Sequence, residues 1–368
     1  MTPYEEKLKR IRSAIALEPV DKVPFVTCGT AINAKIEGVK LSNYITDMEL
    51  NCSTNINAQE KIGGVDAVQQ MVFDPRLLPI LWFTRVKVPG IDLSDDELWQ
   101  MDEKELVKQE DYDFIIKKGF GRWLFAFITK RLGNPSRLVL PYLRSIRKAR
   151  ARFIEAGYPC IAGPVFSSPF EMFCGGRSLE TFFAEDLMEI PDKLERVFRI
   201  AHRFNKIFYR LQLKILHPFG AWIGGWRGTP GLINRQMFER FSWSYMRDLA
   251  EFLIEKNVVP IFHLDSNWEA GLHYFRELPR GKCIMALDGS TNILKAKAIV
   301  GDTMCIMGDV PAGMLAFGTP EQVYEYCTRL IREIGPKGFI LSSGCDIPFN
   351  AKLENIRMMG KACRDAAG

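Results

Sequence analysis

Two short segments carry the residue types best suited to chemistry. The first is "FHLDSN", residues 262–267. The second is "SSGCDIP", residues 342–348. His263 and Asp265 are two apart, so on a strand their side chains share one face. Cys345 follows an apolar run and sits on a Gly-containing loop. If these segments end neighbouring strands, a nitrogen, an oxygen and a sulfur donor meet at one place. Zn²⁺ accepts all three donor types, and a catalytic zinc keeps one position open. A carboxylate in place of a second thiolate leaves the ion a better Lewis acid, able to polarise an oxygen.

Those segments need elements to position them. Strand-like runs occur at 22–27, 66–73, 159–166, 220–226, 258–265, 283–289, 303–310 and 338–344. Between most of them lie helical patterns with apolar residues at i, i+3, i+4 and i+7, such as "PEQVYEYCTRLIREI". Alternating strands and helices predict a parallel sheet covered by helices. Eight such units predict an α/β fold of the closed (β/α)8 type, a TIM barrel, as a single domain over 1–368. The N-terminal helix, 1–20, is a decoration. A long excursion between the second and third strands, about 74–158, reads as a mostly helical insertion over one end of the barrel. It holds an acidic patch, 92–114, and a basic stretch, 117–153.

In such a barrel the site lies at the C-terminal ends of the strands. The fifth strand ends in "FHLDSN" and the eighth in "SSGCDIP", so His263, Asp265 and Cys345 are expected at one mouth. Asp288 and Asp309 end the sixth and seventh strands, as catalytic acids or bases or as helix caps. Phe166, Phe170, Trp222, Trp226 and Trp268 are expected near the same mouth. They would suit an aromatic substrate, or simply fill the barrel.

The chain has 368 residues, 47% hydrophobic and 25% charged, an ordinary globular composition. The first residues, "MTPYEEKLKRIRSAI", read as an amphipathic helix rather than a signal peptide. No apolar run reaches membrane-spanning length. The nine cysteines are irregularly spaced without C-x-x-C, which fits a reducing cytoplasm. Net charge is +5. The basic stretch reads as a solvated helix face, with a docking face for an acidic partner as the functional alternative. Neither nucleic acid nor membrane is expected as a partner. A homodimer is compatible with the composition.

Four segments carry a family resemblance: "ALEPVDKVPF" (16–25), "GPVFSSPFEMF" (163–173), "MGDVPAGMLAFGTPEQVYEYC" (307–327) and "SSGCDIPFNAKLENIRMM" (342–359). The chain resembles the uroporphyrinogen decarboxylase superfamily and, within it, the corrinoid-dependent methyltransferases, over nearly its whole length apart from the insertion. The resemblance implies a (β/α)8 barrel. It also implies zinc, a corrinoid carried by a partner protein, and a small-molecule methyl donor. The methyltransferase branch has a His-x-Cys motif followed roughly 80 residues later by Cys. His263 and Cys345 match its ends, and Asp265 stands at the middle position. Such a variant suits an oxygen-linked methyl donor, an O-demethylase-like activity, with Glu171 a candidate further ligand. The alternatives are transfer from methyl-corrinoid to a thiol or a tetrahydropterin or tetrahydrofolate, a uroporphyrinogen-type decarboxylase, and a non-catalytic ligand-binding barrel. The decarboxylase branch has an arginine-rich loop after the first strand, where a tetrapyrrole's carboxylates need cations. Here that segment is "VTCGTAINAKIEGV" (26–39), without arginine.

Overall fold

The computed structural model describes residues 1–367. Its strands, numbered along the barrel, are β1 (Val26–Thr27), β2 (Ala67–Val68), β3 (Val165–Phe166), β4 (Gly220–Gly225), β5 (Val259–Leu264), β6 (Ile284–Leu287), β7 (Cys305–Val310) and β8 (Phe339–Ser343). β3 to β8 form a six-stranded parallel sheet in chain order, and β1 pairs with β2 in parallel. Two parallel bridges close the ring: Phe25 to Leu341 joins the first strand to the last, and Val68 to Cys160 joins the second to the segment leading into β3. This is the TIM barrel expected from the alternation.

Residue alternation sorts each strand into two faces. Ile261, Ile284, Cys305, Met307 and Ile340 point inward into one cluster with Val26, Ala67 and Ile161. Phe262, Met285, Ile306 and Leu341 point outward into the larger cluster beneath the helices. Helix Pro3–Ile15 adds Ile11, Ala14 and Ile15 to the inner cluster, so it plugs the barrel. Its start is fixed by a capping box, in which Thr2 and Glu5 satisfy each other's backbone amides.

β2 and β3 are shorter than the sequence pattern suggests. Gly163 and Pro164 interrupt the third run, since proline has no amide to donate to a ladder. Pairing therefore occurs in two pieces, Cys160 with β2 and Val165–Phe166 with β4.

Between β2 and β3 the chain forms a small antiparallel hairpin, Arg85–Lys87 with Gln100–Asp102. Helices Gln109–Lys118, Phe120–Lys130 and Val139–Glu155 follow. In the last of these, Ala149 and Phe153 pack with Cys52 and Ile56 of helix Met48–Ile62, so it belongs to the outer helical ring. The earlier part packs on helix Pro169–Arg177, which follows β3. Phe83 meets Phe173 edge-on at 5.5 Å between ring centroids, and the amides of Leu106 and Val107 donate to the carbonyl of Gly176. That part of the excursion therefore borders the C-terminal mouth.

Candidate metal centre at the barrel mouth

The mouth is assembled from strand ends that hold one another. Asp265 extends the β5 ladder by one residue, its amide donating to Gly225 at 2.9 Å. The chain then turns at Ser266, whose φ is 72°. The Ser266 amide donates to Asp288 at 2.9 Å, and the Trp268 indole donates to the Asp265 carbonyl at 2.8 Å. On the other side, the Gly344 amide donates to Val310 at the end of β7. A Cβ at Gly344 would lie 2.5 Å from the Asp288 carbonyl, so only glycine permits this approach. Asp346 accepts from the Thr30 amide at 2.8 Å and from the Thr30 hydroxyl, tying the loop after β8 to the loop after β1.

These constraints bring His263, Asp265 and Cys345 together. His263 Nε2 is 3.4 Å from Cys345 Sγ and 3.7 Å from Asp265 Oδ1. One donor atom from each residue lies within 4.8 Å of the other two. Nitrogen and sulfur donors about 2.0 and 2.3 Å from one tetrahedral zinc stand about 3.5 Å apart, so the three residues fit such an ion. The His263 ring stacks on Trp222 with centroids 4.6 Å apart and planes at 12°. Its Nδ1 is buried without a hydrogen-bond partner among the described residues. Ring orientation is thus set by stacking rather than by the hydrogen bond usual for a metal-bound histidine.

Burial dominates the titration of all three. It lowers the His263 pKa to about 4, opposed by Asp288, so the ring is neutral and its nitrogen lone pair is free. It pushes Asp265 up to about 6, helped by the nearby Asp288 carboxylate. Cys345 keeps solvent access at the mouth, yet desolvation by the surrounding strand ends pushes its thiol up to about 12, with Asp265 and Asp346 adding to the effect. Asp265 and the Cys345 thiol, crowded by acidic neighbours, resist ionisation, and a bound divalent ion reverses that balance.

Space for a substrate adjoins the group. Gly224 pairs with His263 across β4 and β5, and a Cβ there would meet no atom within 4 Å. Trp222 and Trp226 are both partly accessible. Trp226 meets Trp82 edge-on at 6.3 Å, with the Arg227 guanidinium 4.1 Å over its ring.

Other expected site residues lie elsewhere. Glu171 is buried, and its carboxylate accepts from the amides of Trp226, Arg227 and Gly228 at 3.0–3.1 Å. It is spent on holding the loop after β4 and does not join the three donors. Asp288 accepts from the amides of Ser266 and Ser290, so it organises loops beside the centre. Asp309 accepts from the Tyr326 hydroxyl of helix Pro320–Ile334 at 2.7 Å, and burial raises its pKa. Phe166 is fully buried and stacks on Tyr209 at 4.0 Å. Phe170 packs among Phe182, Phe183 and Phe198. Trp268 is fully buried and acts through the Asp265 backbone. Of the five aromatics, Trp222 and Trp226 alone have partly accessible positions at the mouth.

Two polar groups escaped the sequence reading. Asp346 follows Cys345 directly, and burial pushes its pKa up to about 6. Gln69, just past β2, donates to the Ser342 hydroxyl of β8 at 3.3 Å, leaving its own carbonyl oxygen buried without a partner among the described residues. Adjacency to the Cys345 loop could have flagged Asp346. Gln69 has no comparable signal, because its importance depends on closure of the ring.

The family model described as "Uroporphyrinogen decarboxylase (URO-D)" matches residues 139–366. The chain belongs to the uroporphyrinogen decarboxylase family. The match covers the barrel from helix Val139–Glu155 onward and leaves outside the N-terminal helix, β1, β2, the hairpin and the first two insertion helices. Among curated relatives, the uroporphyrinogen decarboxylase of Trichodesmium erythraeum (strain IMS101) is 25% identical over 180 residues, 48% of each chain. That of Albidiferax ferrireducens is 30% identical over 107 residues, 28% of each chain. The matches thus span half or less of these relatives' length. A solved structure of a methyltransferase from Methanosarcina mazei is similar with a TM-score of 0.73 and 18% identity, covering 97% of both chains. This likeness establishes the shared fold. No helix among the described residues is long and apolar enough to cross a membrane.

Proposed function

We propose that this chain is a zinc-dependent methyltransferase that moves a methyl group from a methoxylated aromatic compound to the cobalt of a corrinoid protein. The observation that carries the reading is the meeting of His263, Asp265 and Cys345 at the mouth. A nitrogen, an oxygen and a single sulfur donor make a set more acidic toward oxygen than a two-thiolate set. Zinc held there supplies Lewis acidity to offset the charge on the departing ether oxygen.

The protein's own groups have definite tasks. Neutral His263 and ionised Asp265 and Cys345 would hold the ion. Trp222 fixes the imidazole. The open space at Gly224 admits the methoxy group beside the donors, and Trp222 and Trp226 offer flat apolar walls to an aromatic ring. A cobalt(I) corrinoid brought by the partner would supply the electron pair for the new bond to carbon, while the carbon–oxygen pair would leave with oxygen, which would take up a proton from solvent. The corrinoid protein must approach the same mouth.

Decarboxylation, the activity named for the curated relatives, has less support. A substrate with many carboxylates needs unpaired cations. The two buried arginines nearest the mouth are committed, Arg227 to Glu103 and Arg177 to Glu185 and Asp186.

The test is anaerobic incubation of the zinc-loaded protein with a reduced corrinoid protein and a series of methoxybenzoates. Conversion of cobalt(I) to methyl-cobalt(III), read by absorbance, is expected with at least one donor. Production of coproporphyrinogen from uroporphyrinogen, or methyl transfer from methyl-corrinoid to a thiol or pterin without any demethylation, would overturn the proposal.

A further inference from the structure

A cavity of about 780 Å³ lies away from the candidate metal centre, and neither His263, Asp265 nor Cys345 lines it. It opens on the flank of the barrel beside β3. Leu143 and Ile146 of helix Val139–Glu155 form one wall, and Phe208 and Leu216 of helix Pro191–Leu216 form the other. Small-molecule sites commonly measure about 300–1,000 Å³. Neighbouring helices in a barrel's outer layer ordinarily bury such side chains against each other. Here the apolar walls face an open gap, which forfeits dispersion contacts that an occupant would restore.

The charged groups lining the cavity are mostly cationic, Arg12, Arg150 and Lys282. Among the described lining residues the only carboxylate is Asp74, and it is paired with Arg76 at 2.8 Å. Tyr4 and Arg12 of the N-terminal helix and Arg150 also line the cavity. Both guanidinium groups act on the Tyr4 phenol and pull its pKa down, against the larger upward push of burial. Arg150 donates to the carbonyls of Leu216 and His217 and has no carboxylate partner among the described residues. Arg12 lies 6.0 Å from the Phe219 ring and likewise has no carboxylate partner there. Two guanidinium groups without carboxylate partners, the exposed Arg12 and the half-buried Arg150, therefore gather around the Tyr4 phenol on the lining of an otherwise largely apolar cavity.

We propose that this flank cavity binds an elongated apolar molecule ending in a single carboxylate, with the carboxylate at Tyr4, Arg12 and Arg150. The inference stands apart from the reaction at the barrel mouth.

The test is calorimetric titration of the full chain with hexanoate, octanoate and decanoate, each below its micelle-forming concentration. One saturable site is expected, with affinity rising about fourfold per added methylene. Arg12→Gln and Tyr4→Phe should each weaken decanoate binding by about tenfold, the scale of one hydrogen bond to a charged group. Neither change removes a packed apolar group, so both variants should keep the fold. The double variant His263→Ala, Cys345→Ala should bind as the wild type does. Absence of saturation, equal affinity for decanol, binding indifferent to both substitutions, or loss of binding in the double variant would each overturn the proposal. So would association with anionic vesicles without uptake of monomeric decanoate.

Discussion

At the residue scale, the three donors differ in what they must give up to bind a cation. With its pKa lowered to about 4, His263 is already neutral. The Cys345 thiol, pushed up to about 12, must lose its proton on binding. Asp265, pushed up to about 6, is ionised above that pH and protonated below it. Metal binding is therefore proton release, and affinity rises with pH. Zinc affinity measured against a competing chelator should fall about tenfold per unit as pH drops toward 6, and more steeply below that as Asp265 also takes up a proton. An affinity independent of pH would remove Cys345 from the set. A second expectation concerns the open space beside His263. Gly224→Phe should fill it, leaving zinc content unchanged while cutting kcat/KM for methyl transfer on the order of 100-fold. Loss of zinc in this variant would mean that the space serves the donors themselves.

At the scale of elements, the decisive sequence feature is parity. His-x-Asp at a strand end puts both side chains on one face, which spacing alone makes legible; that the face is the barrel interior follows from the inward-facing Ile261 of the same strand. The position of Cys345 after the last strand was legible in the same way. The fate of Glu171 was not. It sits one turn into a helix at the mouth, where a free carboxylate would be useful. Whether it is free depends on how residues 226–228 fold, and their three amides converge on it. Phe166 and Phe170 were misplaced for a related reason. The Gly163-Pro164 interruption leaves only a short paired run in β3, and Phe166 lies against Tyr209 under the helices. Glu171→Ala should strand those amides and destabilise the protein by about 3 kcal/mol in urea unfolding, given about 1–3 kcal/mol per buried donor left unpaired. Glu171→Gln, which keeps one acceptor oxygen, should lose less. Zinc content should be retained in both, because Glu171 is not among the converging donors.

At the scale of the molecule, the eight-fold alternation announced the barrel, since each strand-helix unit is local in sequence. What alternation cannot show is how the ring closes and where it gapes. Closure rests on two isolated bridges and on the Asp346–Thr30 contact between segments more than 300 residues apart. The flank cavity arises from the spacing of two helices on either side of β3, which the local pattern of neither helix records. The long stretch between β2 and β3 is expected from sequence as one insertion over 74–158, whereas its last helix, Val139–Glu155, packs in the outer ring; the acidic and basic composition gives no sign that its aromatic residues pack against the helix after β3.

The chemistry proposed for the mouth depends on the three donors holding one metal ion. Zinc content per chain, measured after loading and desalting of the wild type, His263→Ala and Cys345→Ala, tests this most directly. About one zinc per chain is expected in the wild type, with most of it lost in each variant. Equal zinc in all three proteins, or none in the wild type, would contradict it.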